Sequence, residues 1–253
     1  KLFNFSLNRF KFLKEIFLAK WLYSEYFVLI YKRQLCNYEK NRFMKTTMQN
    51  SIMIFAPHPD DETLGCAGEI IRAIELGQIV NVVFITNGDG FAKAASVNSG
   101  KKTIDLLPDN FLEVARLRQL SANKAIAVLG LKPENLFFLG YPDGSLASMR
   151  GLTGNIPLTQ AHTKISQTYG LAFLDYHTKK YGKPAPYLWS AVVKDISELI
   201  QTFQPIRIYI TDEADGHSDH RAAYSLVCEA AKSASFYGEV YTYLIHSARG
   251  IWP

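Results

Sequence analysis

One stretch of the sequence, IMIFAPHPDDE at residues 52–62, constrains both the fold and the function. It opens with four apolar residues, a pattern typical of a strand buried on both faces, as in a parallel sheet. Two prolines then fix a turn, in which His58 and Asp60 stand directly before Asp61 and Glu62. Acidic residues are favoured at the N-terminus of a helix by its dipole, which would explain Asp61 or Glu62. The dipole does not explain His58 and Asp60 beside them. Because ligands of open α/β sheets bind at the carboxyl ends of strands, this turn is a candidate site.

Apolar runs and amphipathic stretches alternate through the rest of the chain. This alternation predicts an α/β fold, a Rossmann-like three-layer sandwich with a mainly parallel sheet. Residues 91–109 carry no clear periodicity and are expected to form a loop, as are residues 145–186, whose length suggests a functional role. The predicted strands cover 52–55, 80–86, 136–139, 207–211 and 240–245, and the predicted helices cover 62–76, 111–129, 188–203 and 221–233.

The charge of the chain is unevenly distributed. Residues 1–45 carry ten Lys and Arg against three Asp and Glu, whereas residues 46–253 carry eighteen against twenty. Aromatic and aliphatic residues recur in 1–45 at roughly helical spacing, which predicts an N-terminal helical extension outside the main domain at 46–253. The extension could lie on an anionic membrane surface or pack its apolar face on the domain or a partner chain. Nothing in it calls for nucleic acid as a partner.

The cysteines favour a reducing environment. Cys36, Cys66 and Cys228 are far apart and odd in number, so neither a disulfide framework nor a cysteine metal site is indicated. Free thiols are typical of the cytoplasm, and the protein is expected there, at the membrane periphery if residues 1–45 bind lipid. No apolar run approaches the roughly 20 residues that a membrane span requires.

A second cluster of ionisable residues follows the strand predicted at 207–211. It contains His217, Asp219 and His220, and parallel strands would bring it to the same edge of the sheet as His58. Two imidazoles and a carboxylate form a common ligand set for catalytic zinc, and the same set serves Fe²⁺. A spare carboxylate can take a proton from water that zinc has acidified, and a further histidine can stabilise an oxyanion or protonate a leaving amine.

These motifs resemble those of the LmbE-like, or PIG-L, family of zinc de-N-acetylases. APHPDDE at 56–62 is similar to the first family motif, and HSDH at 217–220 is similar to its HxDH motif. Glu113 and Arg116 resemble the family's E-x-x-R helix, LGYPDGSL at 139–146 the segment after its third strand, and YLIHSARGIWP at 243–253 its C-terminal signature. The resemblance covers about residues 50–253.

The resemblance implies roles for individual residues. His58, Asp61 and His220 would bind the zinc. Asp60 would be the general base for the water that attacks the amide, and His217 would stabilise the oxyanion or act as the acid. Arg116 and Asp143 resemble positions that contact substrate. Family members remove the acetyl group from N-acetylglucosaminyl-type conjugates, so an N-acetylated amino-sugar conjugate is the expected substrate.

Two other functions fit the residues alone: hydrolysis of a different amide by the same metal, and a membrane-docked binding protein whose metal site is inert. Two departures from the family pattern are also present. Gln119 stands where the family often has an acid, which could alter a surface ion pair or a substrate contact. Ser218 replaces the commoner proline of the second motif and is expected to be tolerated.

Overall fold

Six strands form one sheet in the computed structural model, which describes residues 31–33, 50–152 and 156–246. The spatial order is β1-β6-β5-β2-β3-β4. The five strands β2 to β6 run parallel, and β1 pairs antiparallel with β6 at one edge. The strands are β1 (Tyr31–Arg33), β2 (Ser51–Ala56), β3 (Ile79–Thr86), β4 (Leu136–Tyr141), β5 (Arg207–Thr211) and β6 (Glu239–Tyr243).

The helical extension predicted over residues 1–45 lies outside the described residues except at β1, whose three residues form a strand. Among the described helices, none combines the length and the apolar character needed to cross a membrane. The helices are α1 (Asp61–Glu75), α2 (Ala92–Ser99), α3 (Pro108–Val128), α4 (Leu146–Met149), α5 (Tyr176–Tyr181), α6 (Trp189–Phe203) and α7 (Ser218–Ser233).

Two hydrophobic cores lie on opposite faces of the sheet. Along β2, Met53 and Phe55 join one core with α6 and α7, while Ile52 and Ile54 join the other with α1 and α3. All six residues of β2 are buried, because successive side chains of a strand point to opposite faces and both faces are covered by helices. The prediction of an α/β three-layer sandwich with a mainly parallel sheet is therefore confirmed.

The prediction of a loop over residues 91–109 is wrong, because α2 and a short 3₁₀ helix (Thr103–Asp105) lie within it. The sequence of α2, AKAASVNS, contains good helix formers, but it buries only Ala95. A helix that buries one small residue needs no apolar stripe, and so it leaves no periodic signal in the sequence.

The chain order of the strands creates a switch point between β2 and β5. From β2 the chain adds β3 and β4 on one side, and it then returns to place β5 and β6 on the other side. The loops that follow β2 and β5 therefore diverge, and a crevice opens between them at the carboxyl edge of the sheet. Both clusters of ionisable residues identified in the sequence lie in these two loops and in the first turns of the helices that follow them.

Gln119 of α3 anchors the long segment between α4 and α6. Its Oε1 accepts hydrogen bonds from the backbone N–H groups of Leu171, Ala172 and Phe173 at 2.9–3.2 Å, and its Nε2 donates to Asn87 Oδ1 at 2.8 Å. The side chain is fully buried. The prediction that Gln119 alters a surface ion pair or a substrate contact is therefore wrong. Gln119 instead supplies the hydrogen-bond acceptor for three backbone N–H groups that would otherwise be unpaired.

Gly140, near the end of β4, is expected to tolerate no side chain. Its φ is +74°, and an added Cβ would lie 2.3 Å from the backbone oxygen of Tyr169. Gly77 is a matched control, with a φ of +71° and no atom within 4 Å of its added Cβ. We expect Gly77→Ala to lower the free energy of unfolding by about 1 kcal/mol, the dihedral cost alone. Gly140→Ala should cost at least about 2 kcal/mol more, because backbone must move.

Urea unfolding of both variants beside the wild type measures the two costs. Equal midpoints for Gly140→Ala and Gly77→Ala would contradict the steric contribution.

Candidate metal centre

Three side-chain atoms from the two motifs form a nearly equilateral triangle. His58 Nδ1 lies 3.2 Å from Asp61 Oδ2, His220 Nε2 lies 3.2 Å from the same oxygen, and the two nitrogens are 3.2 Å apart. All three residues are buried. The structure therefore brings together the three residues that the sequence motifs suggested as metal ligands.

Local structure fixes each corner of this triangle. His58 stands in the turn after β2, and its backbone N–H donates to Asp61 Oδ2 at 2.9 Å. Asp61 is the first residue of α1, and its N–H donates to the carbonyl oxygen of His58. His220 lies in the first turn of α7, which begins at Ser218, three residues earlier than predicted. Rigid elements on both sides of the crevice thus hold the donors.

The triangle fits a divalent metal ion. Three donors 3.2 Å apart lie on a circle of about 1.85 Å radius, which is shorter than the Zn–N distance of about 2.0–2.1 Å, so one ion can contact all three. The donor set of two imidazoles and one carboxylate suits Zn²⁺ and also Fe²⁺. His58, His217 and His220 also offer ring nitrogens within 4.8 Å of one another.

The electrostatics of the centre favour positive charge. Burial acts to lower the pKa of His58 and of His220, but carboxylates outweigh it and hold both pKa values above the ordinary value. Burial acts to raise the pKa of Asp61. Hydrogen bonds and charge from His220 and His58 outweigh burial and hold that pKa well below its usual range. The carboxylates that raise the pKa values of the two histidines would also stabilise a bound metal cation, so a cation is suited to this position.

His217 lies beside the triangle as the N-cap residue of α7. Its Nδ1 accepts a hydrogen bond from the backbone N–H of Asp219 at 3.2 Å. Its ring centroid is 4.9 Å from that of His58 and 5.0 Å from that of His220. Burial, and then the charges of those two histidines, lower the pKa of His217. A neutral ring with an acceptor at Nδ1 carries its proton on Nε2, where it can be donated.

Asp60 stands directly before Asp61 in the chain, and its side chain is paired with Arg118. Its side chain is 56% exposed, and its Oδ1 accepts a hydrogen bond from the guanidinium of Arg118 at 2.8 Å. Arg118 also donates to the carbonyl oxygen of Pro59 at 3.2 Å. The carboxylate of Asp60 is thus accessible to solvent and held by an arginine.

The structure does not bring Arg116 to the centre. Its guanidinium donates to both carboxylate oxygens of Glu113 at 2.6 and 2.8 Å, and both side chains are almost half exposed. Arg118, two residues further along α3, is the arginine that contacts Asp60. Successive helical residues are rotated by about 100°, so residues 116 and 118 face different directions.

Three buried carboxylates surround the histidines. His58 Nε2 is hydrogen-bonded to Asp219 Oδ2 at 3.4 Å, whereas Asp143 Oδ1 lies 3.0 Å from the same nitrogen without the alignment of a hydrogen bond. Asp215 Oδ2 lies 3.2 Å from His220 Nδ1, but the atoms are not aligned for a hydrogen bond, so this contact is electrostatic. The sequence suggested a site for Asp143, whereas Asp215 was missed although it stands in the same cluster as His217.

A comparison of the sequence with models of protein families identifies one matching family. The family model described as PIG-L, GlcNAc-PI de-N-acetylase, matches residues 53–231, which is more than half of the chain. No curated protein matches the chain.

Solved structures match the chain at low identity and with TM-scores below 0.5. N,N'-diacetylchitobiose deacetylase from Pyrococcus horikoshii is 20% identical, with a TM-score of 0.47 over 72% of this chain and 49% of that chain. Teicoplanin deacetylase Orf2 is 19% identical, with a TM-score of 0.46 over 77% and 67%. A 4-carboxy-2-hydroxymuconate hydratase from Pseudomonas putida is 16% identical, with a TM-score of 0.48 over 72% and 56%. This chain thus spans about half the length of the chitobiose deacetylase, and the family match alone carries the assignment.

Proposed function

This chain belongs to the PIG-L family of de-N-acetylases, and on that premise we propose that it is a zinc-dependent hydrolase of N-acetylated amino-sugar conjugates. The observation that carries this proposal is the triangle of His58 Nδ1, Asp61 Oδ2 and His220 Nε2. These three residues would hold the ion, with Asp60 next to Asp61 in the chain and the ring centroid of His217 4.9 Å from that of His58. An acetamide has the two features that such a centre acts on, a polarisable carbonyl and an amine leaving group.

A zinc ion at the triangle would supply Lewis acidity, which polarises the amide carbonyl and makes water acidic enough to react near neutral pH. Asp60 is the general base of the proposed reaction. Its carboxylate takes one proton from the attacking water as the new C–O bond forms. The C–N bond then breaks as Asp60 returns that proton to the nitrogen, and the acetic acid formed ionises to acetate beside the released amine.

His217 supplies a hydrogen bond to the developing oxyanion in this proposal. Two observations support a neutral ring with the proton on Nε2: the backbone donor at Nδ1 and the lowered pKa of the side chain. Such a donor strengthens its bond as charge develops on the carbonyl oxygen, and it thereby stabilises the transition state more than the substrate.

Arg118 is expected to orient Asp60 during this reaction. Arg118→Met should lower kcat/KM by about five- to tenfold, a modest effect because the ion pair is partly exposed. The Cδ, Nε and Cζ atoms of Arg118 lie against Gly88, and methionine replaces this part of the side chain with an uncharged chain of similar reach. Arg116→Met, on the same helix and paired only with Glu113 among the described residues, is the matched control, with an expected change within about twofold.

Steady-state kinetics on one N-acetylated substrate measure both arginine variants. A larger loss for Arg116→Met than for Arg118→Met would restore the role that the sequence suggested for Arg116.

Elemental analysis together with an acetate-release assay on a panel of N-acetylglucosamine conjugates tests the proposed function. About one zinc per chain with acetate release supports it, and iron in place of zinc would correct the metal. Zinc without acetate release would shift the reaction to another amide. No bound metal after reconstitution would overturn the proposal.

Contact of residues 1–45 with a membrane stays a prediction, which flotation of the full chain with anionic vesicles tests.

A further inference from the structure

The segment at residues 91–107, which joins β3 to α3, turns its large apolar side chains outward. Its inner face meets α3 mostly through small side chains, with Ala95 buried and Ala92, Ala94 and Leu106 partly buried. Its outward-facing apolar residues, each at least half exposed, are Phe91, Val97, Ile104 and Leu107. Val97 and Ile104 are 73% and 88% exposed. Apolar side chains so exposed in one short segment indicate an interaction surface, because their removal from water is favourable.

The 91–107 segment lies at the carboxyl edge of the sheet, beside the candidate centre. It follows Gly90 directly, and the N–H of Gly90 donates to Asp143 Oδ2 at 2.6 Å. Asp143 in turn lies 3.0 Å from His58 Nε2. The exposed apolar side chains are therefore carried by backbone that adjoins the crevice.

Positive charge is interleaved with these apolar side chains. The segment contains one acid, Asp105, and three exposed lysines, Lys93, Lys101 and Lys102. Lys93 and Val97 are four residues apart on α2, so they share one face of that helix. Apolar side chains that enter an interface, with lysines beside them at the level of the phosphates, are typical of segments that lie on anionic bilayers.

We propose that the 91–107 segment docks the protein on an anionic lipid surface. Val97 and Ile104 enter the boundary between the headgroups and the acyl chains, and the lysines contact the phosphates of the headgroups. Because the segment lies beside the triangle, docking turns the crevice towards the lipid. The inference does not depend on the metal centre, and it concerns a different part of the chain from the membrane contact predicted for residues 1–45.

Charge argues against two other occupants of this surface. A second copy of the chain in a symmetric contact would set two positive segments against each other. Residues 1–30 carry five Lys and Arg against two Glu, so they too would bring like charge to the segment. An anionic surface instead complements both of these parts of the chain.

The register of β1 places residues 1–30 at the same edge of the sheet as the 91–107 segment. β1 is antiparallel to β6, and Tyr31 pairs with Thr242, one residue before the carboxyl end of β6. The chain that precedes Tyr31 is therefore attached at the carboxyl edge. One lipid surface at that edge can contact both positive segments.

Two double variants test the apolar and the charged parts of this surface separately. Val97→Ser with Ile104→Ser removes apolar area, and Lys93→Gln with Lys102→Gln removes charge. All four side chains are exposed, so both variants are expected to fold as the wild type does. Partition coefficients are measured by titration of the full chain with vesicles of phosphatidylcholine and phosphatidylglycerol. The serine variant should bind about tenfold more weakly, and the glutamine variant about fivefold more weakly per lysine replaced.

Leu76→Ser with Lys132→Gln is the matched control. Leu76 is 58% exposed and follows the end of α1, at the edge of the sheet opposite the centre. Lys132 is exposed and precedes β4 at that same edge. Residues 1–45 are intact in all of these variants, so a difference between them reports on the 91–107 segment alone. The control should bind within about twofold of the wild type.

A measurement on the wild type locates the contact without any variant. With anionic vesicles, amide hydrogen exchange should slow in residues 91–107 and stay unchanged in residues 74–78. Unchanged exchange in residues 91–107, or equal partition of the serine variant and the wild type, would overturn the inference. Equal partition of the wild type into vesicles of phosphatidylcholine alone would also overturn it. A wild-type dimer that the serine variant converts to monomers would do the same, since a second copy would then cover the surface.

Discussion

Removal of the metal with a chelator is expected to lower acetate release by on the order of 10³-fold or more. A metal ion at the triangle would supply several kcal/mol of stabilisation to the transition state, and each 1.4 kcal/mol corresponds to about a factor of ten in rate. Nothing else among the described residues at the centre replaces it: His217 and Arg118 offer hydrogen bonds, but neither can both polarise the carbonyl and acidify water. Addition of about one equivalent of zinc should restore the activity.

The control for this experiment is the same chelator presaturated with zinc, which should leave the activity unchanged. Metal content and activity are to be measured on the same samples through removal and restoration. A chelated protein that retains most of its activity with almost no bound metal would contradict the role proposed for the triangle. Restoration by Fe²⁺ and not by zinc would keep the triangle but change the ion.

Asp60→Asn is expected to lower kcat by about 10²- to 10⁴-fold, the usual contribution of a general base. The amide retains an oxygen that can accept the hydrogen bond from Arg118, but it cannot take a proton from water. Zinc content should stay near that of the wild type, because Asp60 contributes no atom to the triangle. This combination of retained metal and lost activity separates a base from a ligand.

Asp109→Asn, an exposed change of the same kind on the first turn of α3, is the control and should be silent. Single-turnover rates with saturating substrate measure the chemical step directly. If Asp60→Asn kept more than half of the wild-type rate, another group would have to be the base. If it lost zinc, its role would be structural.

The positions of the helices and strands were largely predictable, because most of them bury a continuous stripe or an entire apolar run. β2 is the clearest example, since all six of its residues are buried between two layers of helices. α2 was not predictable, because it buries only Ala95 and so shows no periodicity. The role of Gln119 was also not predictable, since its partners are backbone groups more than 50 residues away.

The choice between Arg116 and Arg118 illustrates a limit of sequence reasoning. Both arginines lie on α3, whose buried residues include a glutamine as well as small and apolar side chains. The apolar stripe therefore defines the rotation of the helix poorly, and the sequence leaves open which arginine faces the centre. Packing against the loops after β2 and β3 decides it, and Arg118 reaches Asp60 across the position of Gly88.

The sequence by itself determined the class of the fold and the residue types that meet at the candidate centre. A buried strand followed by a histidine and three acids is a local pattern, and His58 and Asp61 meet through contacts only three residues apart. The tertiary structure alone decided how His220 closes the triangle and how Asp143 lies behind His58. Those contacts span 162 and 85 positions along the chain, and they depend on strand order and helix rotation, which no local preference encodes.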